Sequence, residues 1–268
     1  MRIIEKNGYS PRNCVEWTLQ SSQGRDYRIM IAIPEAEAPP EGYAVIYAVD
    51  GDAMFGTIAE TVKLQTRKPK GFNPAIVVGI GYPSRLPFDM DRRCHDLTMP
   101  VDAATLPERP NGQPWPEHGG VDLFLDFLEQ QLMTAISSEW RINPNKQAIF
   151  GHSLGGHFTL YTMFSRPKLF SHVVSGSPSV WWGNDEVLRE QERFIAQWKG
   201  DHEVKLLVIV GGDELSFMVE GAQRVVERME PLATKGVHVS YIQFEDEGHV
   251  SVLPSAINRL VRFVLTDD

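Results

Sequence analysis

The sequence is short of basic charge, which disfavours nucleic acid as its main partner. Lysine and arginine together number 26 against 35 aspartates and glutamates, so the formal net charge is −9 at pH 7. Binding to a phosphate backbone requires a basic face, and an acidic chain does not supply one by default. The charge still permits a small anionic ligand that is held by a local group of arginines.

Cysteine is also scarce, which limits both disulfides and metal sites. Cys14 and Cys94 are the only two cysteines and lie far apart, and no CxxC pair or cysteine–histidine spacing typical of zinc occurs. We therefore expect two reduced structural thiols rather than a disulfide. We also expect the protein to need no metal ion or other cofactor.

Long apolar runs are missing as well. No stretch approaches the roughly 18 apolar residues that a membrane-spanning helix requires. The N-terminus, MRIIEKNGYSPRN, lacks the apolar core of a signal peptide. The sequence therefore predicts a soluble cytoplasmic protein without a membrane partner. A periplasmic protein whose signal peptide had been removed would show the same features.

Apolar runs of strand length are present and alternate with helical patterns. The first two, CVEWTLQ and DYRIMIAIP, alternate in polarity and predict an antiparallel hairpin. The later runs are continuously apolar, as in strands buried on both faces, and span 43–51, 73–83, 146–151, 170–177, 204–212 and 237–245. Helical spacing occurs at 121–136, 185–199, 216–232 and 257–264. This alternation predicts an α/β protein with a mostly parallel, doubly wound sheet of about eight strands, forming one domain over 1–268.

One segment interrupts this rhythm. Residues 82–120 are rich in proline and polar side chains, as in PSRLPFDMDRRCHDLTMP and LPERPNGQPWPEHGG. A loop of this length inside a compact domain is usually a lid or a binding element. We therefore expect a long loop over 82–120 that faces the substrate.

Glycines surround one serine in FGHSLGGHF, between an apolar run and a helical pattern. The order Gly151-His152-Ser153-Leu154-Gly155 is the G-x-S-x-G nucleophile elbow. A serine on such a turn takes a strained backbone conformation, and a Cβ atom at either flanking glycine would clash. The turn presents the Ser153 hydroxyl at the sheet edge and aims the Leu154 amide toward a developing oxyanion. An incidental glycine-rich turn would match the same five letters.

A serine nucleophile needs a general base, and in this arrangement the chain order is serine, acid, histidine. His249 follows the last predicted strand and precedes the last helical pattern, where the fold supplies its base. The strand at 204–212 leads into Asp213 and Glu214, either of which could orient the histidine. Glu214 has the better spacing, and a serine–histidine dyad without a carboxylate is the remaining alternative.

A second oxyanion donor is expected from the loop after the third strand. That loop reads AVDGDAMFG, in which Gly51 permits a tight turn that leaves the backbone amide of Asp52 facing the site. A plain strand-to-helix turn would have the same sequence.

The chain resembles the α/β-hydrolase esterases that cleave catecholate siderophores of the enterobactin type, within the broader putative-esterase group. The matching segments are YAVDGDAMF, VVGIGYP with DMDRRCHDLTMP, GHSLGGHFTLYTMFSRPKLF and SGSPSVWW. They occur in the family's order, span roughly Val45 to His249, and together are far more specific than the elbow pattern alone.

The resemblance implies Ser153 as nucleophile, His249 as base, and an oxyanion hole at Asp52 and Leu154. It also implies a set of side chains near the substrate: Arg92, Arg93, Ser177, Trp181 and Trp182. Arginines and tryptophans suit a catecholate, which is an anion with aromatic rings. Their ordinary alternatives are surface ion pairs for the arginines and a place in the core for the tryptophans. Family members differ in how they place the carboxylate.

These observations predict a serine esterase that hydrolyses a catecholate siderophore trilactone through an acyl-enzyme and so releases iron. Its partner is then a small-molecule ester, ferric or iron-free, and no metal takes part in the chemistry. A general carboxylesterase, a thioesterase or an acyltransferase would carry the same motifs. A siderophore-binding module that has lost catalysis would keep the same fold.

Overall fold

An eight-stranded sheet forms the centre of the molecule. The computed structural model describes residues 12–109 and 111–266. The strands are β1 Cys14–Gln20, β2 Asp26–Ala32, β3 Tyr43–Ala48, β4 Ala75–Gly81, β5 Ile142–His152, β6 His172–Gly176, β7 Val204–Gly211 and β8 Val237–Phe244. They lie in the order β1-β2-β4-β3-β5-β6-β7-β8.

The strand directions bring the carboxyl ends of the parallel strands together at one edge of the sheet. Strand β2 pairs antiparallel with both β1 and β4, and the remaining pairs are parallel. The predicted mostly parallel sheet with an antiparallel N-terminal hairpin is therefore confirmed. Because β3 and β5 to β8 run parallel, their carboxyl ends meet at the same edge, where open α/β sheets bind ligands.

Helices cover both faces of the sheet. They are α1 Gly51–Gln65, α2 Met90–Leu97, α3 Val121–Phe127, α4 Met133–Glu139, α5 Leu154–Ser165, α6 Glu186–Gln197, α7 Ser216–Met229 and α8 Leu253–Leu265. A π-helical turn at Leu128–Leu132 joins α3 to α4.

Alternate residues of the central strands enter two separate cores. On β3, Ile46 packs into the core formed with α1 and α8, whereas Val45 and Tyr47 pack into the larger core on the opposite face. Side chains of a strand point alternately to its two faces. A strand covered on both sides must therefore be apolar at every position, which explains the continuous apolar runs.

The segment 82–120 is not one long loop. It contains α2 and a 3-10 turn at Ala103–Thr105. Asp89 caps α2 by accepting a hydrogen bond from the Arg92 amide at 3.1 Å. The loop prediction was wrong here because most buried residues of α2 are polar or charged, so no apolar stripe marks the helix in the sequence.

The two cysteines are both free, which confirms the prediction of reduced thiols. Cys94 is buried, and this burial raises the pKa of its thiol to about 11. Across residues 12–109 and 111–266, no helix combines the length and apolar character that crossing a bilayer demands.

Candidate active site

Ser153 occupies the tight turn between β5 and α5 and has a strained backbone. Its φ is 61° and its ψ is −115°, a conformation that costs free energy for any residue with a Cβ atom. A Cβ atom on Gly151 would overlap the carbonyl group of Gly155, and one on Gly156 would lie 2.5 Å from the carbonyl oxygen of Gly176. Gly151 is therefore required because the backbone approaches itself closely across the turn. Gly156 is required because α5 lies close to β6.

His249 and Glu214 form a hydrogen-bonded pair at the same sheet edge, in the loops that follow β8 and β7. The His249 Nδ1 atom lies 2.7 Å from Oε2 of Glu214, whose side chain is 1% exposed while that of His249 is 40% exposed. The other carboxylate oxygen accepts from the Ser177 hydroxyl at 2.5 Å and the Gly211 amide at 2.8 Å. Burial alone would raise the Glu214 pKa, but these hydrogen bonds outweigh burial and lower the pKa. The carboxylate is thus an ionised acceptor for an Nδ1 proton.

Of the two neighbouring acids, the structure brings Glu214 and not Asp213 to the histidine. Asp213 is exposed, and its backbone amide donates to the carbonyl of Glu247 at 3.0 Å. This backbone hydrogen bond fixes the turn with the Glu214 side chain directed inward and Asp213 at the surface. Asp213, considered from the sequence as an alternative acid, is therefore not the partner of His249.

The Ser153 hydroxyl lies next to a second serine. Its oxygen is 3.4 Å from the hydroxyl oxygen of Ser179, and among the described residues no hydrogen bond joins it to His249. The imidazole of His249 is nevertheless nearby, because it packs against His152 with ring centroids 4.6 Å apart. Burial, followed by the proximity of His249, lowers the His152 pKa to about 3. His152 is therefore neutral at pH 7 and supports the ring of His249.

Two helix N-termini lie at the same edge of the sheet as Ser153. Leu154 is the first residue of α5, and Asp52 is the second residue of α1. The first amides of a helix have no acceptor within the helix, so they are available to an anion. The Asp52 carboxylate is held by an ion pair with Arg28 and by the Tyr82 amide at 3.1 Å, which fixes the turn that precedes α1.

A buried ion pair connects the α1 turn to the serine turn. Arg93 on α2 donates from Nε to Oδ1 of Asp50 at 3.1 Å and from Nη2 to Oδ2 at 2.9 Å. The same Nη2 donates to the carbonyl oxygen of His152 at 3.3 Å. Arg93 therefore joins the residue before α1 to the residue before Ser153. The expectation that Arg93 faces the substrate was wrong, because a fully buried carboxylate requires a charged partner and takes up this guanidinium.

Removing this guanidinium is expected to destabilise the fold strongly. We predict that Arg93→Met lowers the free energy of unfolding by about 3–5 kcal/mol, because the Asp50 carboxylate stays buried without its cation. Urea denaturation measures the change. Adding Asp50→Asn should recover part of the loss, since it removes the uncompensated charge. A loss below about 1 kcal/mol for Arg93→Met would contradict a buried, energetically coupled pair.

Arg92 is also engaged inside the protein. Its guanidinium lies between the rings of Tyr27 and Tyr82, 5.0 and 4.9 Å from their centroids. Its Nη2 atom donates to the carbonyl oxygen of Asp26 at 3.1 Å. Arg92 thus connects α2 to the N-terminal hairpin, and its expected contact with substrate stays a prediction.

Two further residues expected at the substrate lie behind the site. Ser177 is 1% exposed and donates to Glu214, so it supports the carboxylate. Trp182 is 0% exposed and its Nε1 donates to the Met99 carbonyl at 3.1 Å, so it belongs to the core. Trp181 remains partly exposed. Neighbouring residues in SPSVWW thus divide between the core and the surface.

Sequence reasoning missed several residues around the site. Ser179 lies inside SPSVWW, a segment that the resemblance singled out, so a signal for it existed. Leu215 and Val250 directly follow the paired acid and histidine, and they are 66% and 65% exposed. Each of them exposes an apolar side chain directly next in sequence to a residue of the Glu214–His249 pair.

Comparison with known proteins agrees with this geometry. The family model described as Putative esterase matches residues 20–244. The chain is 38% identical over 253 residues to the ferri-bacillibactin esterase BesA of Bacillus subtilis, covering 92% of this chain and 87% of BesA. It is 34% identical over 193 residues to the siderophore enterobactin esterase of Emericella nidulans, covering 69% of this chain and 64% of the relative.

A solved structure shows the same architecture. The crystal structure of the BES protein from Bacillus cereus matches with a TM-score of 0.92 and 35% identity, over 98% of this chain and 100% of that chain. The sheet order, the serine turn after β5 and the histidine after β8 are those of the α/β-hydrolase fold. Because the family model spans most of its length, the chain belongs to the Putative esterase family and is an α/β hydrolase.

Proposed function

We propose that the protein is a serine esterase that hydrolyses catecholate siderophore trilactones, with Ser153 as nucleophile and His249 as base. Glu214 orients the base and stabilises its protonated form. The observation that carries this proposal is the 2.7 Å contact between His249 Nδ1 and a buried carboxylate, beside a serine with φ 61°. The serine, acid and histidine follow β5, β7 and β8, so one sheet edge collects all three.

The substrate class is supported by the relatives. Two curated proteins with 38% and 34% identity are named for esterase activity on ferri-bacillibactin and on enterobactin. The similarity extends over 92% of this chain for the first of them. The family model, which matches residues 20–244, contains Ser153 and Trp181, and this supports the same class of ester here.

The acylation step follows from the placement of the side chains. The Ser153 hydroxyl turns from Ser179 toward Nε2 of His249, gives up its proton there and attacks the ester carbonyl carbon. The backbone amides of Leu154 and Asp52 hold the negative oxygen of the tetrahedral intermediate. The bond to the leaving oxygen then breaks, and His249 returns the proton to that oxygen.

Deacylation repeats the sequence with water. His249 takes a proton from a water molecule, which attacks the acyl carbon of the ester on Ser153. The bond to Ser153 breaks, and the serine oxygen regains its proton from His249. One carboxylic acid and one alcohol are produced per turnover, and a trilactone ring is opened by the first turnover.

The loose position of the serine hydroxyl is compatible with this mechanism. Catalytic hydrogen bonds are often long in free enzymes and shorten when substrate is bound. In the proposed mechanism, a rotation about the Cα–Cβ bond of Ser153 exchanges its contact with Ser179 for one with His249.

A panel of esters tests the proposal. We expect the protein to cleave a trilactone of 2,3-dihydroxybenzoylserine with kcat/KM at least about 100-fold above that for p-nitrophenyl butyrate, a difference of about 2.7 kcal/mol in transition-state binding. Chromatography should show linear trimer, dimer and monomer appearing in order. Comparable kcat/KM values for the two esters would instead favour a general carboxylesterase.

A further inference from the structure

A cluster of one arginine and three tryptophans lies close to the proposed nucleophile in the chain and has no role in the mechanism above. The ring of Trp115 lies 5.9 Å from that of Trp181 and 5.1 Å from that of Trp182, centroid to centroid. The guanidinium carbon of Arg109 lies 5.5 Å from the Trp115 centroid. Arg109 and Trp115 both belong to the segment 82–120, which covers the sheet edge here.

The cluster is built on a fixed base and is open to solvent above it. Trp182 is fully buried, and its Nε1 donates a hydrogen bond to the Met99 carbonyl oxygen, whereas Trp115 and Trp181 are half-buried. The Trp115 Nε1 atom donates to the carbonyl oxygen of Pro107 at 2.7 Å, which orients its ring. The Trp115 ring is therefore held in place while both Trp115 and Trp181 remain partly exposed.

The charge of Arg109 is not neutralised within the described part of the chain. Its Nη1 atom donates to the carbonyl oxygen of Pro114 at 2.9 Å, and no described carboxylate forms an ion pair with it. Arg92 and Arg93, in contrast, are packed against rings or paired with Asp50. Arg92 and Arg93 form ion pairs with Asp96 and Asp50, whereas Arg109 has no carboxylate partner among the described residues.

The cluster is close to Ser153. Trp181 follows Ser179 by two residues, and the Ser179 hydroxyl is 3.4 Å from that of Ser153. Two residues of extended chain span at most about 7 Å. A substrate whose carbonyl carbon reaches Ser153 can therefore place a neighbouring ring on the tryptophans.

We propose that Arg109, Trp115 and Trp181 form a subsite for an anionic aromatic ring of the substrate. The inference rests on the proposed function and adds the residues that select the anionic form of the substrate's aromatic ring. Tryptophan faces stack on a catechol ring, and the guanidinium binds the negative charge of its oxygens by ionic and cation–π contacts. A ferric tris-catecholate is a trianion approaching a protein with a net charge of −9, so a local cation is needed to hold it.

The test compares charge-removing variants on two substrates. With Arg109→Gln, we expect the ratio of kcat/KM for the ferric trilactone to kcat/KM for p-nitrophenyl butyrate to fall about 10-fold, the size of one cation contact that is partly shielded from water. Arg109→Lys should recover part of the ratio. Trp115→Leu should lower it for both the ferric and the iron-free trilactone, because stacking does not depend on iron.

The matched control removes an arginine far from the site. Arg259 borders a groove of about 700 Å³ with Lys205 and His238, at the opposite end of the strands. Arg259→Gln makes the same change in net charge and should leave the ratio as in the wild type. If Arg109→Gln and Arg259→Gln lower the ratio equally, only the overall charge matters, and the subsite is contradicted.

Binding separates failure of the subsite from failure of the proposed function. In a Ser153→Ala background, ferric trilactone should quench tryptophan fluorescence, with a Kd about 10-fold weaker when Arg109 is also replaced by glutamine. An unchanged Kd overturns the subsite even if the wild type hydrolyses the trilactone. Failure of the wild type to hydrolyse any trilactone overturns the proposed function, whatever the Kd values are.

Discussion

The Ser153→Ala variant is expected to lose about 10⁵-fold in kcat while keeping its fold. The hydroxyl oxygen is the only protein atom in the proposed mechanism that bonds to the acyl carbon, and alanine has no replacement for it. The Cβ atom and the backbone strain remain, so the free energy of unfolding should change by less than about 1 kcal/mol. Steady-state hydrolysis and urea denaturation measure the two quantities.

Ser179→Ala is the matched control for this variant. The two hydroxyl oxygens lie 3.4 Å apart, so a reagent that labels one could also reach the other. We expect Ser179→Ala to lower kcat by less than about 100-fold, because it removes a hydrogen-bond partner and no bond-forming atom. Covalent labelling by a fluorophosphonate should persist in Ser179→Ala and vanish in Ser153→Ala. The reverse pattern would move the nucleophile to Ser179.

The Glu214→Gln variant is expected to lose about 10³- to 10⁴-fold in kcat, by analogy with removal of the acid from other serine hydrolases. Glutamine preserves the shape of the side chain but lacks the negative charge that stabilises imidazolium. Its amide nitrogen would also face a donor, either Nδ1–H of His249 or the groups that now donate to Glu214 Oε1. The His249 imidazole then favours the tautomer with its proton on Nε2, which cannot accept the Ser153 proton.

Asp213→Asn gives the comparison that decides between a triad and a dyad. It removes one negative charge from the adjacent, exposed residue and should leave kcat within about 3-fold of the wild type. Equal and small losses in both variants would mean that Ser153 and His249 act without a carboxylate. A larger loss in Asp213→Asn would contradict the geometry, in which Glu214 is the residue 2.7 Å from His249.

The site also shows how the segment 82–120 contributes to the proposed catalytic centre without entering the reaction. Arg93 contacts Asp50 before α1 and the His152 carbonyl before α5. Those two turns carry the proposed oxyanion amides and the nucleophile. A rigid connection between them keeps the amides and the hydroxyl in register, as electrostatic preorganisation requires. Arg93 is therefore a positioning residue. It is buried because it lies between the turn before α1 and the turn before α5.

Several features could be read from the sequence because their causes are local. Strands covered on both faces must be apolar throughout, so β3, β5 and β7 were visible as continuous runs. The glycines around Ser153 reflect backbone contacts across a single turn. Chain order and strand ends limited the base to His249 and the acid to Glu214 or Asp213, with a dyad as the alternative, and did not choose among these. A short polar helix such as α2 leaves no comparable pattern.

Only the tertiary structure decided what the charged and aromatic candidates do. Arg93 pairs with a residue 43 positions earlier in the chain, and Ser177 donates to one 37 positions later. Trp182 is buried while Trp181 beside it is not. The sequence determined which strands and turns form and therefore where a serine, an acid and a histidine converge. It did not determine which polar side chains satisfy one another there, because buried charges take their partners from whatever the folded chain brings within hydrogen-bonding distance.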